Sequence, residues 1–107
     1  MSILHTVNKS PFEKPALSSC LQHALPGSVV LLLEDGVYGA RAGSAPADQL
    51  ENAHDVRVYA LGPDLAARGI SPDVLASGVE VLDYEGFVDL AVECDKVKAW
   101  LSEELYA

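Results

Sequence analysis

Two residues carry thiols, Cys20 and Cys94, and a thiolate is the natural nucleophile or exchange group of a chain like this one. Cys20 falls among Leu17, Leu21 and Ala24 at helical spacing, with His23 three residues on, where an imidazolium can steady a thiolate if both face solvent. The same position suits a small buried hydrophobe equally well. Cys94 continues the apolar stripe of Phe87, Leu90 and Ala91, and packing accounts for it. His5 and Asp35 fall near the expected carboxyl ends of neighbouring strands, where open α/β sheets place ligands, and a His–Asp pair there can do acid–base work. With no nucleophile beside them, the plainer reading is preferred: His5 closes a turn and Asp35 caps the next one. Ser10 and Ser44 lack the GxSxG setting of an esterase-type nucleophile.

Other chemistries lack the residues they need. There is no CxxC and no His/Cys cluster at metal-ligand spacing, so a structural zinc site and a disulfide framework have no support. No GxGxxG or GxxxxGK[ST] is present, so neither nucleotide nor metal cofactor is expected. Seven basic against sixteen acidic residues, a net charge of −9, disfavour a protein that must neutralise nucleic-acid phosphates unaided. The longest unbroken aliphatic run, Val29–Leu33, is far short of the roughly 18 residues that cross a bilayer. The start Met1-Ser2-Ile3-Leu4-His5 has no secretory pattern, so no membrane association and a cytoplasmic location are expected. The positive mean hydropathy of so short a chain, +0.17, implies that a partner covers some apolar surface.

The elements that must position these residues alternate between strand-like and helix-like runs, the pattern of βαβ units around a parallel sheet. One domain, 1–107, accommodates them. Ile3–Val7 reads as the first strand, closed by the turn-prone Asn8-Lys9-Ser10-Pro11. Pro15 is tolerated only in a first helical turn, so a helix starts there and ends by Pro26-Gly27. Ser28–Leu33 is apolar throughout, as a strand covered on both faces must be, and Glu34-Asp35-Gly36 turns the chain away. The Gly- and Ala-rich stretch Val37–Ala47 reads as a flexible or interface loop, with a short helix over Asp48–Ala53. Val56–Leu61 is the third strand. Pro63-Asp64 and Ser71-Pro72-Asp73 each open a short helix, and Val79–Leu82 is the fourth strand. A last helix runs over Glu85–Cys94; beyond Asp95 the spacing fits either its continuation or a short edge strand.

Four segments together carry a resemblance to a known family: Leu4-His5-Thr6 with Ser10-Pro11-Phe12; Leu31-Leu32-Leu33-Glu34-Asp35-Gly36-Val37; Val58-Tyr59-Ala60-Leu61 with Asp64-Leu65 and Ala67-Arg68-Gly69; and Asp83-Tyr84 with Phe87-Val88, Leu90 and Trp100. In this order, over nearly the whole chain, they resemble the DsrH/TusB family of sulfur-relay subunits, more particularly DsrH of sulfur-oxidising bacteria. The resemblance implies a DsrE-like, flavodoxin-like α/β domain with a mostly parallel four- or five-stranded sheet covered by helices on both faces. It also implies a cytoplasmic hexamer, two copies each of this chain and its DsrE- and DsrF-type sister subunits. That assembly would pass persulfide sulfur to or from a DsrC/TusE-type carrier.

The family's principal acceptor cysteine is understood to lie in a DsrE/TusD-type sister, so this chain is expected to contribute mainly architecture and docking. Cys20 is the candidate persulfide carrier on this chain. Because DsrH members tend to carry a cysteine here and TusB members do not, it inclines the expected end use toward oxidation of stored sulfur, with tRNA wobble-uridine 2-thiolation as the alternative. Tyr38, Tyr59, Tyr84, Phe87 and Trp100 are available for a subunit interface or the core, and the spread of acidic residues, Glu103 and Glu104 included, suits a solvated face.

Overall fold

The computed structural model describes residues 2–100. Five parallel strands form one sheet: β1 (Ile3–Val7), β2 (Val29–Leu32), β3 (Arg57–Leu61), β4 (Val79–Leu82) and β5 (Lys96–Trp100), in the order β4-β3-β2-β1-β5. The central strand β2 is buried at all four positions, which explains its lack of polar alternation. Register aligns Leu4 with Val29 and Val97, and Val7 with Leu32 and Trp100. Strand side chains alternate between faces, so His5, Val7, Val30, Leu32, Lys98 and Trp100 share one face, and Leu4, Val29, Leu31 and Val97 the other.

Helices α1 (Ala16–His23), α2 (Ala45–Glu51) and α3 (Gly62–Ala67) cover the first face. There Ala16, Leu17 and Cys20 of α1, Leu50 of α2 and Leu65 of α3 pack on Val7, Val30, Leu32, Val58 and Ala60. Among the described residues a single helix, α4 (Tyr84–Glu93), covers the second face, where Leu90 and Cys94 close over Leu4, Val29, Leu31 and Leu61. The expected flavodoxin-like α/β arrangement is what forms. Asp83 caps α4 by accepting the Gly86 N–H at 2.7 Å.

Two sequence expectations are corrected. The stretch 37–47 is largely regular: a 3-10 helix spans Glu34–Ala40, and α2 starts earlier than expected, at Ala45, because Ser44 accepts the Ala47 N–H and Pro46 fits the first turn. Its small residues serve close packing, since a Cβ on Gly39 would approach Pro11 Cγ at 3.0 Å and Leu17 Cδ2 at 3.1 Å. The short helix expected to open at Ser71-Pro72-Asp73 is a single 3-10 turn, Pro72–Val74.

After Asp95 the open choice resolves to strand. Asp95 donates its N–H to Ser2 O at 3.0 Å and accepts the Ser2 N–H on Oδ2 at 2.8 Å, fastening the start of β5 beside β1. Leu101 and the expected acidic pair Glu103 and Glu104 lie outside the described residues.

Candidate functional site

Cys20 lies on the buried side of α1 and is wholly inaccessible, at 0% exposure. Burial among aliphatic side chains pushes its thiol up to about 12, although the nearby Lys98 charge acts in the opposite direction. A thiol held so is protonated at neutral pH and is a poor nucleophile. His23, three residues on, is exposed; its Nδ1 lies 2.8 Å from Ser19 O and its ring 5.7 Å from that of Trp100. The two residues of the expected thiol–imidazole pair therefore face different environments. Cys94 is also buried, in the second core, which agrees with its packing role.

His5 sits mid-strand in β1, two residues short of the carboxyl end, and is 3% exposed. Its partner is Trp100, whose Nε1–H donates to His5 Nδ1 at 2.9 Å. An indole N–H only donates, so Nδ1 must be the bare nitrogen and the neutral ring carries its proton on Nε2. Nε2 is buried with no hydrogen-bond partner among the described residues. Lys98, next to His5 in the β1–β5 register, places Nζ 4.2 Å from the Trp100 ring centroid. The result is a cluster of His5, Cys20, His23, Lys98 and Trp100 where α1 crosses the β1–β5 edge.

Asp35, expected to cap a turn, is held by a side chain from the end of α3. Arg68 of the α3 C-terminus donates to its Oδ1 from Nε at 3.0 Å and from Nη2 at 2.9 Å. Asp64 Oδ2 accepts the N–H of Glu34 at 2.6 Å, holding that residue in the left-handed region with φ 49°. These contacts clamp the 3-10 segment to α3 across the carboxyl ends of β2 and β3. The less favoured His5–Asp35 dyad does not form, and His5, lying mid-strand, does not close the turn after β1 as expected: His5 pairs with Trp100 and Asp35 with Arg68.

What the sequence did not reveal is the His5–Trp100 pair, whose members stand 95 residues apart, and the presence of Lys98 beside it. The only local hint was the alternation Lys96-Val97-Lys98 ahead of the one tryptophan. Among the described residues, no group of three or more His, Cys, Asp or Glu side chains is placed to hold a metal ion, and no helix is long and apolar enough to cross a membrane.

The pair gives a pH prediction. Burial first, and Lys98 second, lower the His5 pKa, so the folded chain favours the neutral ring. Such a group contributes its stability fully above the unfolded histidine value of about 6.5 and loses it as pH falls from there toward the lower folded value. Protonation of Nδ1 also removes the acceptor for Trp100. Tryptophan emission should therefore change in a step below about pH 6.5, unaltered in His23→Ala and absent in His5→Gln. A step that persists in His5→Gln would show that the His5–Trp100 pair is not its source.

The family model for "DsrH like protein" matches residues 9–97. Protein TusB of Erwinia tasmaniensis is 40% identical over 98 residues, covering 92% of this chain and 100% of that protein. TusB of Escherichia coli K12 is 36% identical over the same coverage. Among solved structures, the YchN protein of E. coli superposes with a TM-score of 0.75 at 22% identity, over 92% of this chain and 98% of that one. A protein of unknown function from Methanobacterium thermoautotrophicum, MTH1491, gives 0.72 at 17% identity, over 91% and 97%; these two establish likeness of fold. The matched family model, the full-length TusB relatives and the shared parallel sheet agree with the four sequence segments, and the chain belongs to the DsrH/TusB family of sulfur-relay subunits.

Proposed function

We propose that this chain is an architectural and docking subunit of the relay that 2-thiolates the wobble uridine of tRNA. The observation that carries this reading is identity of 36–40% to proteins named TusB along their whole length. The expectation of sulfur oxidation rested on the presence of Cys20, and the depth of that thiol in the first core weakens its ground. In the proposed assembly two copies of this chain join two each of DsrE/TusD- and DsrF/TusC-type sisters, and the hexamer meets a DsrC/TusE-type carrier.

The second reading keeps Cys20 as a persulfide carrier, favoured by the positive charge of Lys98 near it. In that step the Cys20 thiolate attacks the outer sulfur of a donor persulfide. A new S–S bond forms on Cys20, the donor's S–S bond breaks, and the donor leaves as thiolate with no net oxidation. Such a step requires α1 and β5 to part so that the thiol is reached.

Co-expression with the sister subunits, followed by persulfide treatment and native then denaturing mass spectrometry, separates the readings. The docking role predicts a two-of-each hexamer, unchanged in Cys20→Ser, with no sulfur gained on this chain. A reversible gain of one sulfur mass that Cys20→Ser abolishes establishes the carrier role instead. A chain that joins no sister subunit overturns both. Deleting its gene should also deplete 2-thiouridine in tRNA; undiminished 2-thiouridine beside impaired oxidation of stored sulfur returns the end use to oxidation.

A further inference from the structure

Helix α4 is apolar on two sides. Leu90 is buried, and Phe87, Ala91 and Cys94 pack with it over the sheet. On the outward side Tyr84, Val88 and Val92 stand 59%, 60% and 80% exposed. Their spacing of four residues puts them on one stripe along the helix. Valine is a weak helix former, so helix propensity does not account for two valines at exposed positions. A surface helix normally carries one apolar stripe, turned to the core; α4 carries a second that nothing among the described residues covers. Val97 of β5, on the same face of the sheet, is 52% exposed.

Charge decides what fits there. Beside the stripe run Glu85, Asp89 and Glu93, all exposed, and α4 carries no basic residue. Arg57 of β3 reaches Glu93 at 3.2 Å, which leaves Glu85 and Asp89 to set the sign of the flank. A second copy would set this flank against itself in a chain of net charge −9, and like charges brought together at an interface cost affinity. The complementary occupant is a different chain with an apolar ridge bordered by Lys or Arg.

We infer that the outer stripe of α4, Tyr84, Val88 and Val92, is the docking surface for a sister subunit presenting a basic-flanked apolar ridge. This deepens the proposed function and rests on its reading of the chain as an assembly subunit. Apolar contact along the stripe supplies the affinity, and the acidic flank selects the partner and its orientation.

The test is native mass spectrometry of this chain co-expressed with its DsrE/TusD- and DsrF/TusC-type sisters, beside sedimentation of the chain alone. Val88→Glu/Val92→Glu should lower the complexed fraction at least tenfold. Val88→Ala/Val92→Ala, which improves helix propensity and so preserves the fold, should lower it less but measurably. Glu85→Lys/Asp89→Lys should weaken the complex and reverse its salt dependence. A wild-type chain that joins no sister refutes the assembly reading itself. A hexamer that survives both valine pairs, with the variants folded by circular dichroism, refutes the α4 surface alone. Unchanged salt dependence in the charge swap refutes the basic partner, and a wild-type homodimer lost in Val88→Glu/Val92→Glu makes a second copy the occupant and overturns the inference.

Discussion

Leu32→Asp leaves no folded protein. Leu32 is 0% exposed in a strand buried at every position. Its backbone aligns with Val7 on one side and Ala60 on the other, and its side chain points into the core beneath α1 and α2. A carboxylate there has no counter-ion and must either ionise in an apolar interior or stay protonated without partners. Either course costs roughly 2–7 kcal/mol or more beyond the lost packing. A domain of this size has roughly 5–15 kcal/mol in total. The expected result is insoluble expression or a random-coil circular dichroism spectrum, while Leu32→Ala folds with stability lower by about 2–5 kcal/mol. A soluble Leu32→Asp protein with a cooperative melt would show that β2 is not enclosed on both faces.

The second large effect is expected from Gly36→Ala. A Cβ at this position would overlap the Val7 carbonyl oxygen, a backbone atom that no rotamer change can move. Val7 O accepts the Leu33 N–H at 3.1 Å, the bond that carries the chain off the end of β2. Relieving the clash means moving the end of β1 or the start of the 3-10 segment, and with it the Asp64 and Arg68 clamp. A loss of about 3 kcal/mol or more is expected, read as a fall in the urea midpoint with little change in slope. A midpoint within a few tenths of a molar of wild type would show that the two segments do not approach as closely as described.

Legibility in the sequence followed how local each determinant is. The unbroken Val-Val-Leu-Leu of β2 announced a doubly covered strand because both faces impose the same requirement. The start of α1 was legible from Pro15, and β4 from its flanking turn residues. Where the reading failed at 37–47, composition was misleading: Gly39 and Ala40 are small because α1 and the Pro11 turn press on them, a tertiary reason that looks like flexibility in one dimension. The end of α4 was ambiguous because Cys94 and Val97 keep helical spacing across the break. Edge exposure strips β5 of a strong apolar signal, and its first four residues are exposed. Within the candidate site, Cys20 could be placed on a buried helix face, but its depth could not be read. The pairing of His5 with Trp100 depends on β5 returning to the far side of β1, which no local pattern records.

That return has a consequence for how the chain reaches its fold. Strand β1 is made first and one of its two edges pairs with β5, made last of the five, so Ile3 waits for Lys96 and Val7 for Trp100. Contacts so distant in sequence close late, because the loop entropy must be met before the pairing compensates it. Until then the first strand presents an unpaired parallel edge, with His5 not yet paired to the indole. The nascent domain therefore passes through a stage in which an open edge stands where another strand can add before β5 closes it.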